Sequence, residues 1–243
     1  MKKNVIKSIL GFSAVLLFAG TVLSGCGKKD SKELSKKEIT VGVTAGPHQQ
    51  IMEEVAKQAK KDGLKIKVKS FTDYNTPNSA LSSGDLDANS YQTIPFLKDQ
   101  IKNKGYKFDQ AFKTVAYPMG VYSKKIKSLK DLKDGDSIAV PNDASNETRG
   151  LQLFEKAGII KLKKGVGQTA TKKDVVSNPK HLKIIELEAS QLPKQLGEVT
   201  AAAINTNFAM GAGLSINENA IFHEPLKNNP YPNVFVVQSG HKN

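Results

Sequence analysis

One stretch limits the possible folds of this chain more than any other. Ile39-Thr40-Val41-Gly42-Val43-Thr44 is followed by Ala45-Gly46-Pro47, and then by Leu64, Ile66 and Val68 alternating with Lys65, Lys67 and Lys69. The short apolar run reads as a buried strand, Pro47 suits the first turn of a helix, and the alternation reads as a half-exposed strand. Between the two strands Ile51, Met52, Val55, Ala56 and Ala59 share one helical face, and Gly63 closes the helix. Strand, helix and strand in that order imply a parallel pair with a right-handed crossover, which points to an α/β protein.

The pattern restarts further along. Short helices are expected over Ser79–Ser83, ending at Gly84, and over Pro95–Lys104, stopped by Gly105. Phe108–Ser123 reads as extended chain that crosses between two lobes. After a helical turn at Leu129–Leu132, the spacing predicts strands at Ser137–Val140, Leu182–Leu187 and Ala201–Ile204. Helices are predicted at Ser145–Ala157 and Gln191–Leu196, and strand-like ends at Ile221-Phe222 and Val234–Val237 flank a Pro- and Asn-rich loop. The expected organisation is lobe 1 at residues 38–118, lobe 2 at 119–207 and a return to lobe 1 over 208–243. Lobes of this size can bury their own cores.

At the other end, Lys2, Lys3 and Lys7 precede an apolar run from Ile9 to Leu23 and then Leu23-Ser24-Gly25-Cys26. The run is shorter than the roughly twenty residues of a membrane span, so residues 1–25 read as a signal peptide. Leu-Ser-Gly-Cys matches a bacterial lipobox, whose cysteine carries lipid. Cys26 is the only cysteine, so it has no internal disulfide partner. Residues 26–37 read as a flexible tether, and the expected location is the extracytoplasmic face of the cell membrane. The formal charge is +13, less the three lysines of residues 1–25 once these are removed, and the remaining excess suits either a surface near anionic headgroups or a solvated lysine face with no specific role. Nucleic acid is not an expected partner, because the lysines are scattered without interleaved aromatics. His48, His181, His223 and His241 are dispersed, with no catalytic or metal-ligand spacing, so neither an enzyme nor a metal or cofactor site is expected.

In open α/β sheets ligands bind beyond the carboxyl ends of strands. Polar residues gather at four such places, Thr44–His48, Asn89–Thr93, Asn142–Arg149 and Asn205–Phe208. Arg149 is the one arginine among 36 basic residues. A guanidinium grips a carboxylate through two parallel hydrogen bonds, and an ammonium does not. Asn142, Asp143 and Ser145 read as helix caps, which accounts for them but not for the arginine. With either Asp143 or Ser145 as the cap, Arg149 lies about one turn into the helix, where a ligand carboxylate would meet both the guanidinium and the helix N-terminus. Asn205 and Asn207 also fit a turn after a strand, and His48 a residue packed at a lobe edge. Tyr74 and Tyr91 also fit ordinary aromatic packing.

Gly46-Pro47-His48, Asp73-Tyr74, Pro77-Asn78, Asp85–Asn89, Tyr117-Pro118, Tyr122–Ile126, Pro141-Asn142-Asp143 and Ile204-Asn205-Thr206, together with the lipobox and the first strand, resemble the methionine-binding lipoprotein family (MetQ/NlpA). That family supplies the substrate-binding component of a methionine ABC importer. The resemblance implies a two-lobed periplasmic-binding-protein-like (type II) fold with the ligand cleft between the lobes. It also implies a monomer that captures D- or L-methionine and delivers it to permease and ATPase subunits. It assigns Arg149 to the ligand carboxylate, Asn205 to its amine, Asn146 to its polar end, and Tyr74 and Tyr91 to the side-chain pocket, where thioether sulfur meets aromatic rings. His48, Thr93 and Asn207 complete the expected set.

Three departures stand out. Thr93 occupies a position where the family often has histidine, Ala144 and Thr148 replace a common Pro and Gly, and the chain stops at Asn243 where relatives continue through C-terminal helices. Two alternatives follow from them, a binder of another amino acid or a methionine-containing dipeptide, and a surface lipoprotein that has lost transport.

Overall fold

The structure, a computed structural model, describes residues 34–241. The expected signal peptide, Cys26 and the tether up to residue 33 lie outside the described residues. The first part of the chain runs β1 (Glu38–Thr44), α1 (Pro47–Lys61), β2 (Lys65–Phe71), α2 (Thr76–Ser83), β3 (Ala88–Thr93), α3 (Ile94–Lys104) and β4 (Phe108–Ala116). The second part runs β5 (Gly120–Tyr122), β6 (Ser137–Pro141), α4 (Ala144–Lys156), a hairpin of β7 (Lys161–Leu162) and β8 (Val175–Ser177), β9 (Lys183–Leu187), β10 (Ala201–Ile204), α5 (Thr206–Gly211) and β11 (Ala220–His223). A last strand, β12 (Pro232–Gln238), follows.

Two five-stranded sheets organise two lobes. The first has the order β2-β1-β3-β12-β4 and the second β11-β5-β10-β6-β9. β1 pairs in parallel with β2 and β3, as the strand-helix-strand pattern requires, and β12 enters the first sheet antiparallel to β3 and β4. The chain thus crosses between the lobes twice, at residues 117–119 and 224–231. A return to lobe 1 was expected from residue 208, but β11 pairs with β5 in the second sheet, so the return begins only after His223. The strand-like pair Ile221-Phe222 marks the last edge of lobe 2, not the start of the way back. The extended stretch 108–123 is likewise two strands in two sheets, broken at the first crossing.

Both sheets are covered on both faces. In the second, Val121, Ile138, Val140, Ala201 and Ala203 pack with Leu151, Leu153 and Phe154 of α4, while the alternate residues Tyr122, Ala139, Ala202 and Ile204 pack with Leu192 and Leu196. In the first, Val41, Val43, Ala88 and Val237 meet Met52 of α1, and Leu86, Val234 and Val236 meet Leu81 and Leu97 of α2 and α3. A strand of period 2 between two helical layers is usually apolar on both faces, as β10 is throughout and β6 is from Ile138 onward. β3 (Ala-Asn-Ser-Tyr-Gln-Thr) was not recognisable on that rule, yet it is a central strand and largely buried. Its amides are satisfied by a closed set of bonds. Asn78 Nδ2 donates to Gln92 Oε1 (3.0 Å), Gln92 Nε2 to Asn78 Oδ1 and Asn89 Oδ1 (2.8 Å each), and Asn89 Nδ2 to Asn78 Oδ1 (2.9 Å).

α4 lies unusually close to its sheet. A Cβ on Gly150 would sit 3.0 Å from Val140 Cγ1 and 3.3 Å from Ala203 Cβ, so glycine on the helix and alanine on β10 together set the helix height. That height positions Asn146, one turn nearer the helix start, and Arg149, the residue just before the glycine. Gly150→Val is expected to destabilise the protein by about 1 to 3 kcal/mol through overpacking. Urea unfolding measures it, and an unchanged midpoint would show that α4 can lift off β6 without cost.

Candidate functional site

A small cavity lies where the strand ends of the two lobes face each other. Lobe 1 supplies His48, Tyr74, Tyr91, Gln92, Thr93 and Phe96, lobe 2 supplies Asn146, Asn205, Thr206 and Asn207, and Tyr117 and Asn233 stand at the crossings. Every expected site residue except Arg149 is on this wall. Gln92, Phe96, Tyr117, Thr206 and Asn233 were not foreseen; three of them neighbour expected residues, Gln92 and Thr206 in sequence and Asn233 in strand register with Thr93. Among the described residues no group of three or more His, Cys, Asp or Glu side chains is placed to hold a metal ion.

The polar wall begins at the cap of α4. Asp143 is the N-cap, and its carboxylate accepts from Asn146 N (3.0 Å), Asn146 Nδ2 (2.9 and 3.0 Å) and Ser145 Oγ (3.1 Å). Burial raises the Asp143 pKa against these hydrogen bonds, which favour the charged form. Asn146 is thereby fixed with its carbonyl outward, where it accepts from Asn205 Nδ2 at 2.9 Å. The chain of bonds ends on Asn205 Oδ1, a buried acceptor with no partner among the described residues. Asn207 is complementary. Its Oδ1 accepts from Tyr74 Oη at 2.5 Å, and its buried Nδ2 has no acceptor among the described residues. An unpaired acceptor and an unpaired donor, two residues apart at the end of β10, match a ligand that carries an ammonium and a carboxylate on one carbon.

The opposite wall is aromatic. Tyr74 lies 5.9 Å from Tyr91 and 5.8 Å from Phe96 between ring centroids. Tyr91 Oη donates to the Tyr74 carbonyl at 2.7 Å, so both hydroxyls are used internally and the rings are held in place. Burial keeps both phenols protonated, with pKa values pushed above the ordinary range. Thr93 caps α3, its Oγ1 accepting from Phe96 N at 3.4 Å.

Arg149 is arranged otherwise than expected. Its guanidinium does grip a carboxylate with two parallel bonds, but the carboxylate belongs to Glu224: Nε to Oε1 at 2.8 Å and Nη2 to Oε2 at 2.6 Å. Nη2 also donates to the Tyr117 carbonyl at 2.7 Å, and the guanidinium carbon lies 4.2 Å from the centroid of the Tyr231 ring. Both charges are almost fully buried, at 5% and 3% side-chain exposure. Burial alone would raise the Glu224 pKa, but the Arg149 guanidinium, with Asn229 and the Met119 N–H, holds it below the usual carboxylate range. A buried guanidinium requires a counter-charge, so a partner was foreseeable in kind. Nothing in the loop around Glu224 singled it out.

His48 is buried at the start of α1 and meets Tyr117 edge to face at 5.2 Å. Burial lowers its pKa from 6.5 to about 4, so it is neutral in the folded protein at neutral pH. The unfolded chain therefore takes up a proton first as pH falls below 6.5, and native stability declines until about pH 4. His48→Phe is expected to remove about 3 kcal/mol of that acid loss, at 1.36 kcal/mol per pKa unit. Urea unfolding between pH 7 and pH 4 tests this, and superimposable pH profiles for parent and variant would refute it.

Comparisons with known proteins agree with the fold. The NlpA lipoprotein family matches residues 39–243. The D-methionine-binding lipoprotein MetQ of Salmonella typhimurium is 48% identical over 235 residues, covering 95% of this chain and 85% of that protein. A nutrient binding protein from Burkholderia cenocepacia, solved bound to methionine, is 51% identical with a TM-score of 0.82, covering 84% of this chain and 86% of that one. The crystal structure of the methionine binding protein MetQ is 48% identical with a TM-score of 0.83 and covers 85% of each chain. The architecture is the two-lobed, periplasmic-binding-protein-like α/β fold. With its profile matched across both lobes, the chain belongs to the NlpA lipoprotein family.

Proposed function

We propose that this chain is the substrate-binding component of an ABC importer, that it captures methionine between its lobes, and that it delivers methionine to the permease and ATPase subunits. The observation that carries the reading is the pair of amide atoms without partners among the described residues, Asn205 Oδ1 and Asn207 Nδ2, opposite the rings of Tyr74, Tyr91 and Phe96. The ligand ammonium donates to Asn205 Oδ1, whose bond chain leads back to the Asp143 carboxylate. The ligand carboxylate accepts from Asn207 Nδ2. The thioether lies against the rings, a favourable sulfur–aromatic contact.

The chain acts as a monomer in this reading, because the two lobes of one molecule supply the whole cavity wall. Lipid on Cys26 holds it at the extracytoplasmic face of the membrane. The lipobox supports the anchor, and among the described residues no helix is long and apolar enough to cross a membrane.

Calorimetry with L-methionine tests the proposal. Asn205→Ala is expected to weaken binding roughly ten- to a hundredfold, the value of a hydrogen bond to a charged group, about 1.5 to 3 kcal/mol. The amine-free analogue 4-(methylthio)butanoate should bind parent and variant alike. An equal loss for both ligands would remove Asn205 from the ammonium. A thermal-shift panel of amino acids and dipeptides in which another compound stabilises the parent more than methionine would change the ligand.

A further inference from the structure

Each of the two segments that cross between the lobes is fastened at both ends. On the lobe 1 side, Ala116 and Pro232 are cross-strand partners in the first sheet, and Asn233 Nδ2 donates to the Val115 carbonyl at 2.9 Å. On the lobe 2 side, everything converges on Glu224. Its carboxylate takes both bonds from Arg149, accepts from Met119 N of the first crossing (2.8 Å) and accepts from Asn229 Nδ2 of the second (2.9 Å). Its own N–H donates to the Met119 carbonyl at 3.0 Å. Arg149 in turn holds the Tyr117 carbonyl, and Tyr231 lies over the guanidinium with its hydroxyl on Gln152 Oε1 at 3.1 Å. Thr206 Oγ1 completes the arrangement by donating to the Pro118 carbonyl.

Residues 117–119 and 224–231 are therefore joined to α4 as part of lobe 2, while residues 116 and 232 are joined to lobe 1. We infer that Glu224 is the positioning residue of the hinge: by binding both crossings to Arg149, it confines the bend between lobes to the Ala116–Tyr117 and Tyr231–Pro232 links. The carboxylate is needed for this because one small anionic group accepts from four donors on three separate segments. An apolar side chain of the same size would leave the guanidinium and the Met119 N–H buried without partners. The hinge also communicates with the cavity, since Asn146 and Arg149 occupy one turn of α4, and the Tyr117 ring that lines the cavity hangs from the carbonyl that Arg149 holds. The inference concerns motion in the ligand-free protein and stands whichever ligand the cavity takes.

Hydrogen exchange followed by mass spectrometry on the full chain, dialysed free of ligand, tests it. In Glu224→Gln, peptides covering 117–119 and 224–231 should exchange about tenfold faster or more, as expected when a charge-assisted bond is weakened. Peptides covering β6 and β10 should keep the parent rate. Arg149→Lys keeps the charge, loses the planar fork and should give the same local pattern, which preserves the test if one variant folds poorly. Unchanged exchange in the crossings would overturn the inference. So would equal acceleration in β6 and β10, because Glu224 would then be a general stability residue with no special hold on the hinge.

Discussion

A guanidinium and a carboxylate removed together from water each lose several kcal/mol of hydration, and their attraction offsets that loss only when geometry is good and the remaining donors and acceptors are used. The Arg149–Glu224 pair meets both conditions. The bonds are parallel, the spare carboxylate capacity is taken by Met119 N and Asn229 Nδ2, and Tyr231 covers the cation's face. Lysine, a point donor on a flexible stem, reproduces neither the fork nor the stacking. A chain that otherwise uses lysine for every cation has its single arginine here because this is the buried position where planarity is required. The rest of the structure depends on that pair, since it joins α4 to both crossings and so determines how the strand ends of the two lobes meet.

Around it, one turn of α4 is buried on every side, which is why four successive polar residues occupy positions that a surface helix would leave wet. Asn146 points to the cavity and Arg149 to the crossings. Glu147 accepts from Lys172 N at 2.8 Å, and Thr148 donates to the Ala144 and Ala170 carbonyls at 2.9 and 2.8 Å. Each side chain bonds a different segment, so the turn fastens the surrounding loops to the helix. Gly150 and the alanines of β10 make this possible by bringing the turn close to its sheet. Packing of small residues therefore sets the polar geometry, and the polar geometry sets the cleft.

The parts of the fold legible in the sequence are those where burial and periodicity coincide. β1, β6 and β10 are apolar runs, the glycines at 84, 105 and 158 end or follow helices, and Asp143 caps α4 as its position suggested. β3 was illegible because its buried positions are filled by amides that satisfy one another, a solution with no hydrophobic period. The return to lobe 1 was misplaced because Ile221-Phe222 and Val234–Val237 look alike as strands, and only pairing assigns one to each sheet. Most of the cavity wall was legible, since asparagines and aromatics at strand ends are visible in a one-dimensional reading. Arg149 was singled out for a sound reason, its planarity, but a sequence does not say which carboxylate a guanidinium meets when one is available 75 residues further along.

That difference changes how the site divides its work. Arg149 is already paired with Glu224 and lies off the cavity wall, so in the proposed binding mode charge attraction to it is a weak source of selectivity. In that mode the stronger discrimination would come from the two unpaired amide atoms, because a ligand lacking either the ammonium or the carboxylate would leave one of them buried and unbonded, and such a group costs about 1 to 3 kcal/mol. Beyond the polar end, the hydroxyl protons of Tyr74 and Tyr91 are engaged within the wall, while Thr93 Oγ1 accepts at the cap of α3 and keeps its own proton. What remains for the ligand side chain is mainly aromatic surface with few free donors. Such a pocket penalises polar side chains through unmet hydrogen bonds and accepts apolar ones by size. It therefore favours a flexible thioether over charged or amide side chains, and discriminates only modestly against aliphatic side chains of similar length.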